Sequence, residues 1–158
     1  MKRKRNPLSR SKVPAYKDKY DHRLLLPVPR ATHRREIGIG RALPFSGVDI
    51  WNAYELSWLG PGSKPRVAIG TIIFPAESRR LIESRSMKLY LNSFNQSHFS
   101  SIDLVERAIK QDLRRACGSS VKVKVTLPGR FGRQVLEELE GELIDGLDTK
   151  VSSYTPDA

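Results

Sequence analysis

"SIDLVERAIKQDLRRACGSSVKVKVTL", residues 101–127, reads as a helix, a stop and a strand in immediate succession. Ser100 or Ser101 supplies the N-cap. Asp103 falls in the first turn, where the positive end of a helix favours an anion. Ile102, Val105, Ile109, Leu113 and Ala116 follow at spacings of 3, 4, 4 and 3, the period of one helical face. Gly118 ends the helix. Val121, Val123, Val125 and Leu127 then alternate with Lys122, Lys124 and Thr126, which makes the cleanest strand in the chain.

Upstream, "ESRSMKLYLNSFNQSHF" (83–99) opens with a carboxylate, two serines and two cations and then turns apolar. Met87, Leu91 and Phe94 fall at i, i+4 and i+7 with Tyr90 beside them, so a first helix precedes the one at 101, with Ser78 as its candidate N-cap. Before it, "DIWNAYELSWL" (49–59) alternates, with Ile50, Asn52, Tyr54, Leu56 and Trp58 expected on one face. "GPGSKP" (60–65) is a turn, and "RVAIGTIIFP" (66–75) is a β-branched second strand ended by Pro75. Downstream, "PGRFGRQ" (128–134) is a loop. "VLEELEGELIDG" (135–146) is ambiguous, because Leu136, Leu139 and Leu143 suit a helix while 139–144 suits a strand. A strand there would pair with 121–127 and complete an α+β fold of order ββααββ.

The chain has 158 residues, 39% of them apolar, enough for one domain with a hydrophobic core. No apolar run approaches the roughly 18 residues of a membrane span, and the basic N-terminus has no apolar run behind it. With one cysteine no internal disulfide forms, and a cytoplasmic protein is expected. The formal charge of +11 is uneven. Residues 1–35 hold twelve of the 28 Lys and Arg against Asp18 and Asp21, which leaves the other 123 residues near neutral. The expected organisation is a flexible basic arm at 1–15, an irregular wrapping segment at 16–46, a folded module at 47–150 and the start of a linker at 151–158. Weak contact of the arm with RNA is the one nucleic-acid interaction this charge distribution suggests.

The chemistry of other classes is missing. His22, His33 and His98 stand far from one another and from Cys117, so no metal-ligand spacing exists. Cys117 ends a helix on or beside its apolar stripe, which reads as a small core residue and not as an activated thiol. "GPGSKP" opens no helix and so is not a phosphate loop.

"YDHRLLLPVPR" (20–30), "YELSWL" (54–59) and "IESRSMKLYLNSFNQ" (82–96) closely resemble the N-terminal module of the long, two-module QueF nitrile reductases. The likeness runs from about Tyr16 to Asp157. The family pattern Glu-Ser-Lys-Ser-apolar-Lys-Leu-Tyr stands here as Glu83-Ser84-Arg85-Ser86-Met87-Lys88-Leu89-Tyr90, with Arg85 in place of the lysine.

The resemblance implies a tunnelling fold, an antiparallel sheet of two hairpins with two helices between them. It implies reduction of 7-cyano-7-deazaguanine to 7-aminomethyl-7-deazaguanine with NADPH, on the route to the queuosine base of tRNA. Glu83 would bind the guanine-like edge with Ile82 and Ser84 lining the base, and Ser84, Arg85, Ser86 and Lys88 would meet NADPH. The family's nucleophilic cysteine and its aspartate have no counterpart here, since residues 1–82 hold no cysteine. The chain is therefore expected to supply substrate and cofactor contacts, to be inactive alone, to need a C-terminal catalytic module in cis or trans, and to form homo-oligomers. The alternatives are a stand-alone module that engages RNA through its arm, or another tunnelling-fold enzyme acting on pterins or purines.

Overall fold

In the computed structural model, which describes residues 18–133, 141–150 and 152, a hairpin, two helices and a strand follow in the order read from the sequence, with two short strands and a helix added to them. A 3-10 turn at His22–Leu24 leads into β1 (Pro27–Pro29) and α1 (Arg30–Glu36). β2 (Val48–Leu59) and β3 (Pro65–Pro75) form an antiparallel hairpin closed by a 3-10 turn at Pro61–Ser63. β4 (Arg80–Ile82), α2 (Ser84–Asn92), α3 (Ile102–Cys117) and β5 (Lys122–Thr126) follow, and a last 3-10 turn spans Pro128–Arg133. One antiparallel sheet has the order β2-β3-β5, and β1 pairs with β4 in a separate two-stranded ribbon. The mixed architecture fits a ββααββ arrangement of the tunnelling type. Its last strand, expected over 139–144, falls partly outside the described residues, and 141–144 carry no strand pairing. Among the described residues no helix is long and apolar enough to cross a membrane.

α3 packs its apolar stripe against the sheet. Val105, Ile109, Leu113 and Cys117 are at most 1% exposed, while Ile102 and Ala116 pack at the margin. Leu56, Trp58, Ile72, Phe74, Val123 and Val125 meet them from the sheet. Each such side chain contributes about 1.5–3 kcal/mol on full burial. Ser101 is the N-cap of α3, its Oγ accepting from Leu104 N–H. Gly118 closes the helix at φ 71°, a backbone angle that costs glycine nothing. Lys122 and Lys124 are exposed between buried Val121, Val123 and Val125, as the alternation requires, but Leu127 lies beyond the strand and is exposed.

The expected single face of β2 is broken. Ala53 pairs with Gly70 but Leu56 pairs with Ala68, so Tyr54 and Glu55 together stand opposite one residue of β3. This bulge moves the inward face from Trp51 and Ala53 to Leu56 and Trp58. Ile50, Asn52 and Tyr54, assigned by strict alternation to the face of Leu56 and Trp58, are exposed instead.

Residues 18–46 are more regular than their composition suggests. The segment 20–30 forms a strap laced to α2 and the turn after it. Tyr20 N–H donates to Ser97 Oγ at 2.7 Å, Asp21 N–H to Ser93 Oγ at 3.2 Å, and Leu26 N–H to Ser86 Oγ at 3.0 Å. Tyr20 packs edge-on against Phe94 and Phe99 at 5.1 and 6.0 Å. Its hydroxyl donates to Asp112 Oδ2 at 2.5 Å, and the Tyr90 hydroxyl donates to the same oxygen at 2.8 Å. Ser78 is not the N-cap of α2, because 80–82 pair with β1 and hold the chain extended up to residue 83. The buried Ser78 hydroxyl instead accepts from Arg30 Nε at 3.0 Å.

Burial, together with the Asp112 carboxylate, pushes both tyrosine hydroxyls well above their ordinary range. Tyrosine in the unfolded chain ionises near pH 10. A raised value in the folded chain adds stability that is complete below pH 10 and is lost as the pH climbs above it. Urea unfolding from pH 8 to 11 should therefore show a steep fall above pH 10. Tyr90→Phe should flatten that fall and cost about 1–3 kcal/mol at pH 8 by removing one donor from a buried carboxylate. An unchanged pH profile in Tyr90→Phe would refute the role given to this network.

Candidate functional site

The start of α2 is built by its neighbours on both sides. β4 delivers the chain to Glu83 in extended form, and Glu83 N–H donates to the Leu26 carbonyl at 2.9 Å. Glu83 is the N-cap of α2. Its Oε1 accepts from Arg85 N–H at 2.8 Å and its Oε2 from Ser86 N–H at 2.7 Å. Both carboxylate oxygens are thus oriented by the first turn; Oε1 also accepts from the rotatable Ser84 hydroxyl at 3.5 Å, while Oε2 keeps a further lone-pair direction open.

Ser86, an expected cofactor contact, is buried, and its hydroxyl is engaged twice. It donates to the Glu83 carbonyl at 2.7 Å and accepts from Leu26 N–H. Ile82 is 1% exposed, and its side chain belongs to the core. Ser84, Arg85 and Lys88 are exposed, and none of them is in a salt bridge among the described residues.

A cleft of about 860 Å³ lies between α2 and the outer strand β2. Ser84, Lys88 and Asn92, at successive helical turns, line one wall. Trp51, Tyr54 and Glu55 line the other, and Met87, Leu91, Leu56 and Ile72 contribute apolar surface. Of the residues read from the sequence, the structure brings Ser84 and Lys88 into the cleft, sets Glu83 at the helix start beside Ser84, and puts Arg85 off the cleft wall.

Sequence reasoning missed Asn92, although the 84–88–92 spacing was available to find it. It also missed Glu55, which stands in the bulge, exposed on the cleft wall. Cys117 is fully buried, with Sγ 3.4 Å from the Ser119 carbonyl oxygen. Among the described residues, no three of His, Cys, Asp or Glu lie close enough to hold a metal ion.

The two serines of the motif therefore have different duties, which stability measurements separate. Ser86→Ala should cost about 1–3 kcal/mol in urea unfolding, because it leaves Leu26 N–H without its acceptor. Ser84→Ala, at an exposed position, should stay within about 0.5 kcal/mol of the parent. Equal losses in the two variants would contradict this division.

A family model described as "Nitrile reductase, 7-cyano-7-deazaguanine-reductase N-term" matches residues 16–125. A protein of Burkholderia multivorans named NADPH-dependent 7-cyano-7-deazaguanine reductase is 50% identical over 152 residues, 96% of this chain and 55% of that protein. One of Paraburkholderia phymatum with the same name is 51% identical over 147 residues, 93% of this chain and 54% of that protein. The chain thus spans about half the length of the curated relatives it matches. With 110 matched residues that include the whole of β1 to α3, the chain belongs to the family of the N-terminal module of nitrile reductases of the 7-cyano-7-deazaguanine reductase type.

Proposed function

We propose that this chain is the recognition module of an NADPH-dependent reductase of 7-cyano-7-deazaguanine in queuosine biosynthesis. The carrying observation is the geometry of Glu83, whose carboxylate is pinned through both oxygens to the first turn of α2. A guanine-like edge presents a ring N–H and an exocyclic amine side by side, and the remaining lone pairs of a fixed carboxylate suit both donors. Folding has already set the orientation, so binding loses little side-chain freedom. Ile82 would contribute through its backbone, since its side chain is committed to the core, and Ser84 lies beside the base.

The residues present also suit a dinucleotide. NADPH supplies the hydride when bound. Ser84 and Lys88 offer a hydroxyl and a cation on one cleft wall, and Arg85 offers a second cation at the same helix end. The N–H groups of Arg85 and Ser86 are taken by Glu83, so a phosphate is met here by side chains and not by the bare helix terminus. In this reading Ser86 is a positioning residue that holds Glu83 to the strap.

The nucleophile and the proton donor come from a second module. Cys117 sits inside the core at the carboxyl end of α3, fully buried and outside the cleft lining. β2 is an edge strand of the described sheet with Val48, Ile50 and Tyr54 more than half exposed, which suits a surface covered by that module or by another copy of the chain.

The test is titration of 7-cyano-7-deazaguanine and of NADPH against the purified chain and its variants. Glu83→Gln sets an amide donor against the substrate's donors and should weaken the nitrile on the order of 100-fold or more. Lys88→Ala should weaken NADPH more than the nitrile. Undiminished nitrile binding in Glu83→Gln would defeat the reading.

A further inference from the structure

We infer that Glu55 is a specificity-determining contact of the cleft, where it holds the 2′,3′-diol of a ribose whose phosphate lies toward Ser84 and Lys88. This rests on the nucleotide reading of the cleft.

Strict alternation along β2 would put residue 55 on the inward face with Trp51 and Ala53, where an unpaired carboxylate is costly. The bulge at Tyr54 and Glu55 avoids this. It lets Leu56 and Trp58 resume the core and leaves Glu55 exposed on the cleft wall. Bulges of this kind commonly re-aim a side chain beside a site. Glu55 and Lys88 line the same cleft, yet no salt bridge joins them. Neither side chain has a hydrogen bond among the described residues. An acid and a base facing one open cleft without meeting leave room for a ligand that satisfies both.

The ligand chemistry follows from the two walls. A cation and a hydroxyl, Lys88 and Ser84, suit a phosphate. A carboxylate accepts from two hydroxyls and is a general solution for a ribose diol. A ribose 5′-phosphate carries those features at its opposite ends. Of the two riboses of NADPH, the adenine-side one bears a 2′-phosphate, which Glu55 would repel. The inference therefore assigns Glu55 to the nicotinamide-side ribose, with Asn92 one helical turn beyond Lys88 as a neutral neighbour.

The experiment is a fluorescence titration of the full chain with NADPH and with NADPH carrying a 2′-deoxyribose on its nicotinamide half. Parent, Glu55→Ala, Glu55→Gln and Lys88→Ala are compared after thermal melts establish that each is folded. The parent should bind NADPH about tenfold more tightly than the deoxy form, the worth of one hydrogen bond to a charged acceptor. Glu55→Ala should bring that ratio to about one. Glu55→Gln, which keeps the size of the side chain at the bulge, should also reduce it. Lys88→Ala should weaken both ligands alike and keep the ratio. A parent ratio of one, or an unchanged ratio in Glu55→Ala, overturns the inference and leaves the nucleotide reading in place if Lys88→Ala still weakens binding. If neither position affects NADPH, or the parent does not bind it, the nucleotide reading fails and the inference fails with it.

Discussion

Asp112 lies on the buried side of α3, and its Oδ2 accepts from Tyr90 of α2 and from Tyr20 of the strap. A carboxylate buried to 4% exposure is costly to desolvate unless its lone pairs are engaged. Two donors at 2.5 and 2.8 Å meet that requirement, each charge-assisted bond contributing about 1.5–3 kcal/mol. The consequence reaches beyond stability. This one oxygen joins α3, α2 and the strap, so the three elements take one relative placement. The strap in turn reaches Leu26, whose N–H and carbonyl bracket the motif through Ser86 and Glu83. The geometry of the site's carboxylate thus traces back to a buried acid on a different helix.

Glu83 answers two demands with one group. As N-cap it satisfies two N–H groups that would otherwise lack partners at the start of α2. As an oriented acceptor it is half-buried, and beyond its two backbone donors only the rotatable Ser84 hydroxyl, at 3.5 Å, competes for its lone pairs. A carboxylate can do both because it has two oxygens, whereas a serine or asparagine cap would have little left to offer a ligand. The same arrangement removes the helix start as a bare anion site. In the proposed reading a phosphate would be met instead by Ser84 and Lys88 on the helix wall that lines the cleft.

The parts legible in the sequence were those set by local periodicity. The α3 stripe, its Ser101 cap, the Gly118 stop and the alternation of β5 from Val121 to Val125 depend on residue type at fixed spacing and appear, while at the strand's end Thr126 is buried and Leu127 exposed, against the expected alternation. The parts that were not legible depend on distant partners. Asp112 sits among exposed charges in sequence, and only Tyr20 and Tyr90 make its burial tolerable. β4 has three residues, too few for a pattern, and its pairing with β1 shifts the start of α2 from the vicinity of Ser78 to Glu83. The bulge in β2 is invisible to alternation because it is a break in alternation. In the candidate site, the motif pointed to Glu83, Ser84 and Lys88. It could not show that Ser86 faces inward, since that depends on a strap more than fifty residues upstream.

The chemistry displayed by the described residues is one-sided. Glu55, Ser84 and Lys88 line the cleft and Glu83 caps the helix start beside Ser84, a set of acceptors and a cation that suits recognition of a base, a sugar and a phosphate. The thiol is elsewhere, enclosed in the core with no route to the cleft. Covalent addition to a nitrile needs a thiolate within reach of the carbon, and Cys117 is buried and lines no part of the cleft. A division of labour follows for the proposed reaction. In that reading this module would fix the ligand's identity and orientation, and the reacting sulfur would come from the side the cleft leaves open. That side is bounded by the edge strand β2, whose bulge leaves Glu55 exposed on the cleft wall and interrupts the run of backbone groups a foreign strand would pair with. One irregularity would then serve both the proposed recognition and the shape of any surface that docks on that edge.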